Sequence, residues 1–165
     1  MNVTWELLAD CLRAEVEQYG TILQLLEEQQ LCLIRRNPDR LKELAAAIDG
    51  ATQSADSVRR HREEILRTFA VAQGCAANAT IREILATIEA NVRPLIEALV
   101  LEVNRLVYRT RRFARQNHEL LARACQLQQD FLRQICPGIF SQTYSASGRV
   151  SGGPAGAPPV PLAAC

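Results

Sequence analysis

The chain has 165 residues, of which 48% are hydrophobic and only 5% are aromatic. Nineteen basic residues nearly balance eighteen acidic ones, which leaves a net charge of +1. This length is typical of one domain. The low aromatic content argues against a β-sandwich or a β-barrel. The near-neutral charge argues against a dedicated nucleic-acid-binding protein.

The N-terminal residues predict a protein that stays in the cytoplasm. No basic stretch precedes the first apolar residues, and Glu6 and Asp10 interrupt them, so no signal peptide is expected. The most apolar window, residues 94–106, contains Glu97 and Glu102. It is too short and too charged to span a bilayer.

Two long helices are predicted in the first half of the chain. Apolar residues recur at steps of three and four from Trp5 to Leu33, which places them on one helical face. Pro38 disfavours helix at the residue before it and so ends this stripe. A second stripe, residues 41–69, follows a heptad repeat. The turn between the two helices is short, so they are expected to be antiparallel neighbours.

Further helical segments are predicted in the second half. Residues 80–83 read Thr-Ile-Arg-Glu, a capping box that begins a third helix. Pro94 predicts a break or kink in the residues just before it. The last stripe of apolar residues runs from Leu95 to Ile135, and Pro137 with Gly138 ends that helix.

These elements predict an all-α fold, an elongated up-and-down bundle of three to four long antiparallel helices with a disordered C-terminal tail. The helical bundle is assigned to residues 1–140. Residues 141–165 are rich in Gly, Pro, Ser and Ala and cannot bury a core, so a flexible tail is expected there.

Charge is segregated within this neutral chain. Residues 1–30 contain six acidic side chains and one basic one, whereas residues 104–149 contain eight Arg and two acidic residues. The acidic first helix could face the basic last one within the chain. Alternatively, the Arg-rich stretch 105–115 could bind an acidic protein or nucleic acid. A solvated helix face or an acidic protein contact is the preferred interpretation.

No pattern of residues indicates catalysis or metal binding. Neither His61 nor His118 completes a Glu-x-x-His or His-x-x-x-His pattern, the spacings that put two metal ligands on one helical face. The sequence contains no Gly-rich phosphate-binding loop and no Ser/His/acid arrangement. We therefore expect a protein that is not an enzyme and that needs neither a cofactor nor a metal.

Two short stretches carry a more specific signal. Residues 117–121 read Asn-His-Glu-Leu-Leu on the last helix, and residues 143–149 read Thr-Tyr-Ser-Ala-Ser-Gly-Arg beyond it. This order resembles the C-terminal half of the FlgN family, the flagellar type III export chaperones for hook-associated (hook–filament junction) proteins. The chain departs from the family pattern at Ser145, where members usually have Gly, and in its long Pro/Gly-rich extension after Ser151.

The resemblance implies a cytoplasmic chaperone with two protein partners. It would bind the C-terminal helical segments of hook-associated proteins, its clients, prevent their premature assembly and deliver them to the type III export gate. No nucleic acid and no stable membrane insertion are expected. Tyr144, with Gly148 in the same element, would dock to the export-gate protein. The client-binding residues implied on the last helix are Asn117, Leu120, Leu121, Leu127 and Phe131.

Two other functions stay open at this point. The heptads of residues 41–69 are compatible with a structural coiled-coil adaptor that self-associates through them and has no role in export. The Arg-rich stretch 105–115 keeps nucleic-acid binding as a third hypothesis, which predicts an affinity that falls steeply with salt.

Overall fold

The computed structural model describes residues 4–135 and the backbone of residues 143–144 and 150–151. Its helices are α1 (Trp5–Arg35), α2 (Pro38–Ala72), α3 (Ile81–Leu85) and α4 (Arg93–Ile135). The predicted all-α fold is thereby confirmed, with three long helices and one short one. The chain divides into two compact units, Met1–Glu119 and Leu120–Cys165, and each is described by itself.

α1 and α2 form an antiparallel hairpin with a two-residue turn. Arg36 ends α1 in the left-handed conformation, with φ at 55°. The Asn37 side chain then caps α2 by accepting a hydrogen bond from the backbone N–H of Arg40 at 3.2 Å. Pro38 occupies the first helical position, where its missing N–H is not needed. The helix boundary predicted from Pro38 is therefore confirmed.

The capping box at the start of α3 is also confirmed. The Thr80 hydroxyl accepts from the backbone N–H of Glu83, and the Glu83 carboxylate accepts from the backbone N–H of Thr80 at 2.6 Å. α3 is only five residues long. The interruption that Pro94 predicts lies between α3 and α4. There the Arg93 guanidinium donates to the backbone carbonyl of Leu85 at 2.9 Å.

The core of the Met1–Glu119 unit lies where all four helices meet. Backbones of α1 and α2 approach closely because small residues such as Ala9, Ala55 and Ala70 are buried, whereas α4 meets them mainly through longer side chains. α4 runs in the same direction as α1. The main cluster of buried residues is Leu8, Ala9, Leu12, Phe69, Ala70, Ile84, Ile88, Val92, Ile96 and Val103.

The heptad stripe of α2 faces the interior of the chain. Ala55 is buried against Ile22 and Leu26 of α1, with Phe113 of α4 packed beside them. Phe69 belongs to the main core cluster. The stripe is therefore used to pack α2 against the other helices of the same chain.

The Leu120–Cys165 unit contains the end of α4 and two short strands. β1 (Thr143–Tyr144) pairs antiparallel with β2 (Val150–Ser151), with Tyr144 opposite Val150. This pairing was not predicted from the sequence. The remainder of the tail for which we predicted disorder lies outside the described residues. None of the helices in the described residues is long and apolar enough to cross a membrane.

Candidate functional site

The end of α4 exposes a continuous set of large apolar side chains. Every residue from Leu120 to Ile135 is exposed to solvent. The exposed fraction rises from 36% at Leu120 to 68% at Leu127, and it is 62% at Phe131. We call this set the distal apolar face, and it consists of Leu120, Leu121, Leu127, Phe131, Leu132 and Ile135.

The distal apolar face follows from the spacing of its residues. Leu120, Leu127 and Phe131 are separated by seven and four positions, so they project from the same side of the helix. The charged residues of this stretch lie on the other side, where the Arg133 guanidinium is 3.5 Å from the Asp130 carboxylate. The end of α4 is therefore an amphipathic helix whose apolar side is uncovered by any described residue. Soluble proteins rarely leave such a set exposed unless it binds something.

Asn117 lies one turn before this face and is oriented differently. It is only 3% exposed. Its side-chain amide donates to the Leu26 backbone carbonyl at 2.8 Å and to the Gln29 side-chain oxygen at 2.9 Å. Its own Oδ1 atom is buried and accepts no hydrogen bond within the described part of the chain. Asn117 therefore ties α4 to α1, and its amide is not displayed to solvent as the four apolar candidates are.

The structure brings together four of the predicted site residues, Leu120, Leu121, Leu127 and Phe131, all exposed on the end of α4. Leu132 and Ile135 belong to the same face but were not predicted as site residues. Ile135 could have been found, because the apolar stripe of α4 continues to it at the same spacing.

The two predicted docking residues lie beyond α4. The backbone of Tyr144 belongs to β1, and the description does not extend to its side chain. Gly148 lies outside the described residues.

A buried ion pair lies elsewhere in the chain, between α1 and α2. The Arg62 Nε donates to the Glu15 carboxylate at 2.6 Å, and Glu15 is only 1% exposed. Cys11 lies nearby, and burial raises the pKa of its thiol, with Asp10 and Glu15 shifting it in the same direction. A raised pKa lowers the thiolate fraction, so Cys11 is a poor nucleophile.

The described residues contain no group of three or more His, Cys, Asp or Glu side chains that could hold a metal ion. Both histidines are exposed, His61 on α2 and His118 on α4. The arrangement with the clearest chemical consequence is therefore the distal apolar face, which can pack against the apolar side of another protein.

One protein family is matched by the chain. The FlgN family model, described as FlgN protein, matches residues 1–152. No curated protein and no solved structure matches the chain. The matched range contains all four helices and both strands, and so it includes the whole distal apolar face.

Proposed function

The chain belongs to the FlgN family of flagellar-assembly chaperones, and from that premise we propose that it is an export chaperone for hook-associated proteins. It binds the C-terminal helical segments of these clients in the cytoplasm and prevents their premature assembly. It then delivers them to the type III export gate. This function needs no enzymatic step and no cofactor, because the client is held by packing alone.

The distal apolar face is the observation that carries this proposal. An amphipathic client helix can lay its apolar side against Leu127 and Phe131, as helices do when they bind in grooves or add to bundles. Large, well-exposed side chains at the centre of such a contact supply most of the binding free energy. Leu120 and Leu121 extend the contact towards the packed part of α4. Asn117 acts as a positioning residue, since it fixes α4 against α1 one turn earlier.

Tyr144 is proposed to dock to the export-gate protein. The resemblance supports this assignment, and Tyr144 lies in a two-residue strand, nine residues after the last residue of the distal apolar face. A tyrosine offers both an apolar ring and a hydroxyl to a partner surface. Gly148, in the segment that joins β1 to β2, is proposed to belong to the same docking element.

The self-associating adaptor finds less support. Its heptad stripe contacts α1 and α4 of the same chain, and Leu44, Ala55 and Phe69 are buried there. Self-association through residues 41–69 would therefore require the hairpin to open.

The client-binding role is tested by calorimetric titration of the full-length protein with the C-terminal helical peptide of a hook-associated protein. We expect the double variant Leu127→Ala/Phe131→Ala to weaken binding by about thirtyfold or more, because two central apolar contacts are lost. The matched control is Leu101→Ala/Tyr108→Ala, also on α4 and equally exposed at 71% and 70%. It should leave client affinity within about twofold. If both double variants weakened client binding equally, or if neither weakened it, the assignment of the client site would be refuted.

A further inference from the structure

α4 carries a second exposed line of residues earlier in the helix, within the Met1–Glu119 unit. Its members are spaced by four, three, four and three positions, and each of them is exposed. We call this line the Arg–Tyr ridge, and it consists of Leu101, Arg105, Tyr108, Arg112 and Arg115. The ridge lies on the side of α4 away from its buried line, which includes Val103, Leu106 and Asn117. It contributes nothing to the core and nothing to the distal apolar face.

The positive charge of the ridge is poorly neutralised within the chain. Between Glu102 and Glu119 the sequence contains five Arg and no acidic residue. Arg105 has one carboxylate nearby, that of Glu102 at 3.5 Å. Among the described residues no carboxylate pairs with Arg112 or Arg115, whereas three other exposed arginines, Arg13, Arg40 and Arg60, have carboxylate partners at 2.7 Å.

Two large apolar side chains lie in line with these arginines. Leu101 and Tyr108 are 71% and 70% exposed and are seven residues apart. A solvated helix face gains nothing from such side chains, whereas Tyr and Arg are among the residues enriched at protein–protein contacts. The ridge therefore combines apolar anchors with charge in the spacing of a heptad repeat.

We propose that the Arg–Tyr ridge docks an acidic amphipathic helix of another protein. The heptad spacing keeps all five side chains in line over about 21 Å, at 1.5 Å per residue, which is the length of about four turns of a partner helix. Apolar side chains of the partner pack on Leu101 and Tyr108. Its carboxylates pair with Arg105, Arg112 and Arg115, which fixes the register and orientation of the contact.

A cleft at one end of the ridge supports a partner with apolar anchors. Its volume is about 500 Å³, and it lies between α3 and the start of α4. Leu101 and Asn104 line it together with Ile81 and Leu85 of α3, so the cleft and the ridge are continuous. It can receive an apolar side chain from the end of the docked helix.

The charge pattern favours an acidic helix over nucleic acid. The basic stretch is short, and Glu102 and Glu119 bound it in the sequence. Glu27 of α1 lies 3.4 Å from Arg109, beside the ridge. A phosphate backbone that continued past the ridge would meet these carboxylates, whereas a helix with its acidic residues on one side would not.

The test is fluorescence anisotropy with full-length protein and a labelled synthetic peptide. The probe has about 21 residues in three heptads, with Leu on one side and Glu flanking it. A peptide of the same composition with shuffled positions is the control, and single-stranded RNA and duplex DNA of about 20 nucleotides form a second arm. Two protein variants, Arg105→Glu/Arg112→Glu and Leu101→Ala/Tyr108→Ala, are compared with Arg60→Glu/Arg67→Glu. This control makes the same charge change on exposed positions of α2.

We expect the patterned peptide to bind at least about tenfold more tightly than the shuffled one. Each ridge variant should weaken binding of the patterned peptide by about tenfold or more. The α2 control should leave its affinity within about threefold. Circular dichroism verifies that the variants fold, and the ridge variants should still bind the client peptide. Equal binding of both peptides, tighter binding of RNA or DNA, or an unchanged affinity in the ridge variants would overturn the proposal. The double variant Leu127→Ala/Phe131→Ala tests the client site only. It should lose client binding and still bind the patterned acidic peptide.

Discussion

Glu15 and Arg62 place a charged pair inside the interface between α1 and α2. Only 2% of the Glu15 side chain and 16% of the Arg62 side chain remain exposed. Removing two charges from water is costly, and their attraction offsets that cost only while both partners are present. Since the pair forms in only one alignment of the two helices, it selects the register of the hairpin.

Replacing one partner should be far more damaging than replacing both. We expect Glu15→Ala to lower the free energy of unfolding by about 3–5 kcal/mol, because it leaves the Arg62 guanidinium buried without its carboxylate. Glu15→Leu/Arg62→Leu should recover most of that loss. Urea denaturation followed by circular dichroism measures both.

The matched control for this pair is Asp10→Ala, which removes the carboxylate that is 2.7 Å from Arg13 in an exposed ion pair. Its cost should be about 0–1 kcal/mol. Equal losses for Glu15→Ala and Asp10→Ala would contradict the assigned role of the buried pair.

At the scale of the elements, local chemistry determines where the helices begin and end. The Asn37 cap with Pro38, and the Thr80–Glu83 capping box, each act within four residues, which is why the sequence predicts them correctly. The short length of α3 and the burial of Glu15 depend on contacts with residues far away in the sequence. Neither could be predicted, because spacing alone does not reveal what an element will pack against.

The distal apolar face illustrates the same limit. The apolar stripe of α4 continues at one spacing from Leu106 to Ile135, yet its first part is buried and its last part exposed. Periodicity predicts one face of a helix but cannot separate a core from a binding surface. The resemblance to the FlgN family implied client binding by Leu127 and Phe131, and the exposure of both side chains fits that role.

The capping box predicts a pH-dependent contribution to stability. Hydrogen bonds from the backbone and side chain of Thr80 lower the pKa of the Glu83 carboxyl in the folded chain. A lowered folded pKa means that the contribution is present above the ordinary pKa of Glu and is lost as the pH falls through the folded value. The difference in unfolding free energy between wild type and Glu83→Gln should therefore shrink on acidification.

Urea denaturation at a series of pH values, from about 7 down to about 3, measures this difference. Glu64→Gln is the control, since the exposed Glu64 carboxylate has no hydrogen-bond partner among residues 4–135. A difference between wild type and Glu83→Gln that stays constant over the whole pH range would contradict the predicted link.

At the scale of the whole molecule, packing and binding are assigned to different parts of the chain. Both buried clusters lie within residues 8–113, and the described residues after Asn117 bury no side chain. Stability should therefore reside in the Met1–Glu119 unit, and partner recognition in the residues after it. The ridge on residues 101–115 is the one proposed contact that lies within the packed unit.

Truncation separates these roles. A chain ending at Glu119 should unfold cooperatively, within about 1 kcal/mol of full length, and bind no client, because it retains the core and lacks the distal apolar face. A chain ending at Ile135 should bind client with unchanged affinity and fail to bind the export-gate protein, since it lacks Tyr144. Urea denaturation and calorimetry measure both properties. Client binding by the chain ending at Glu119 would contradict the division of roles.

The most direct test of the central claim is amide hydrogen exchange of the full-length protein with and without the client peptide. In the free protein, residues 120–135 should exchange faster than residues 96–113, because none of residues 4–135 buries a side chain of this part of α4. Saturating client should slow exchange across residues 120–135 by about tenfold or more and leave residues 38–72 of α2 unchanged. Protection centred on α2, or no protection at the end of α4 when the peptide is bound, would contradict the proposed client site.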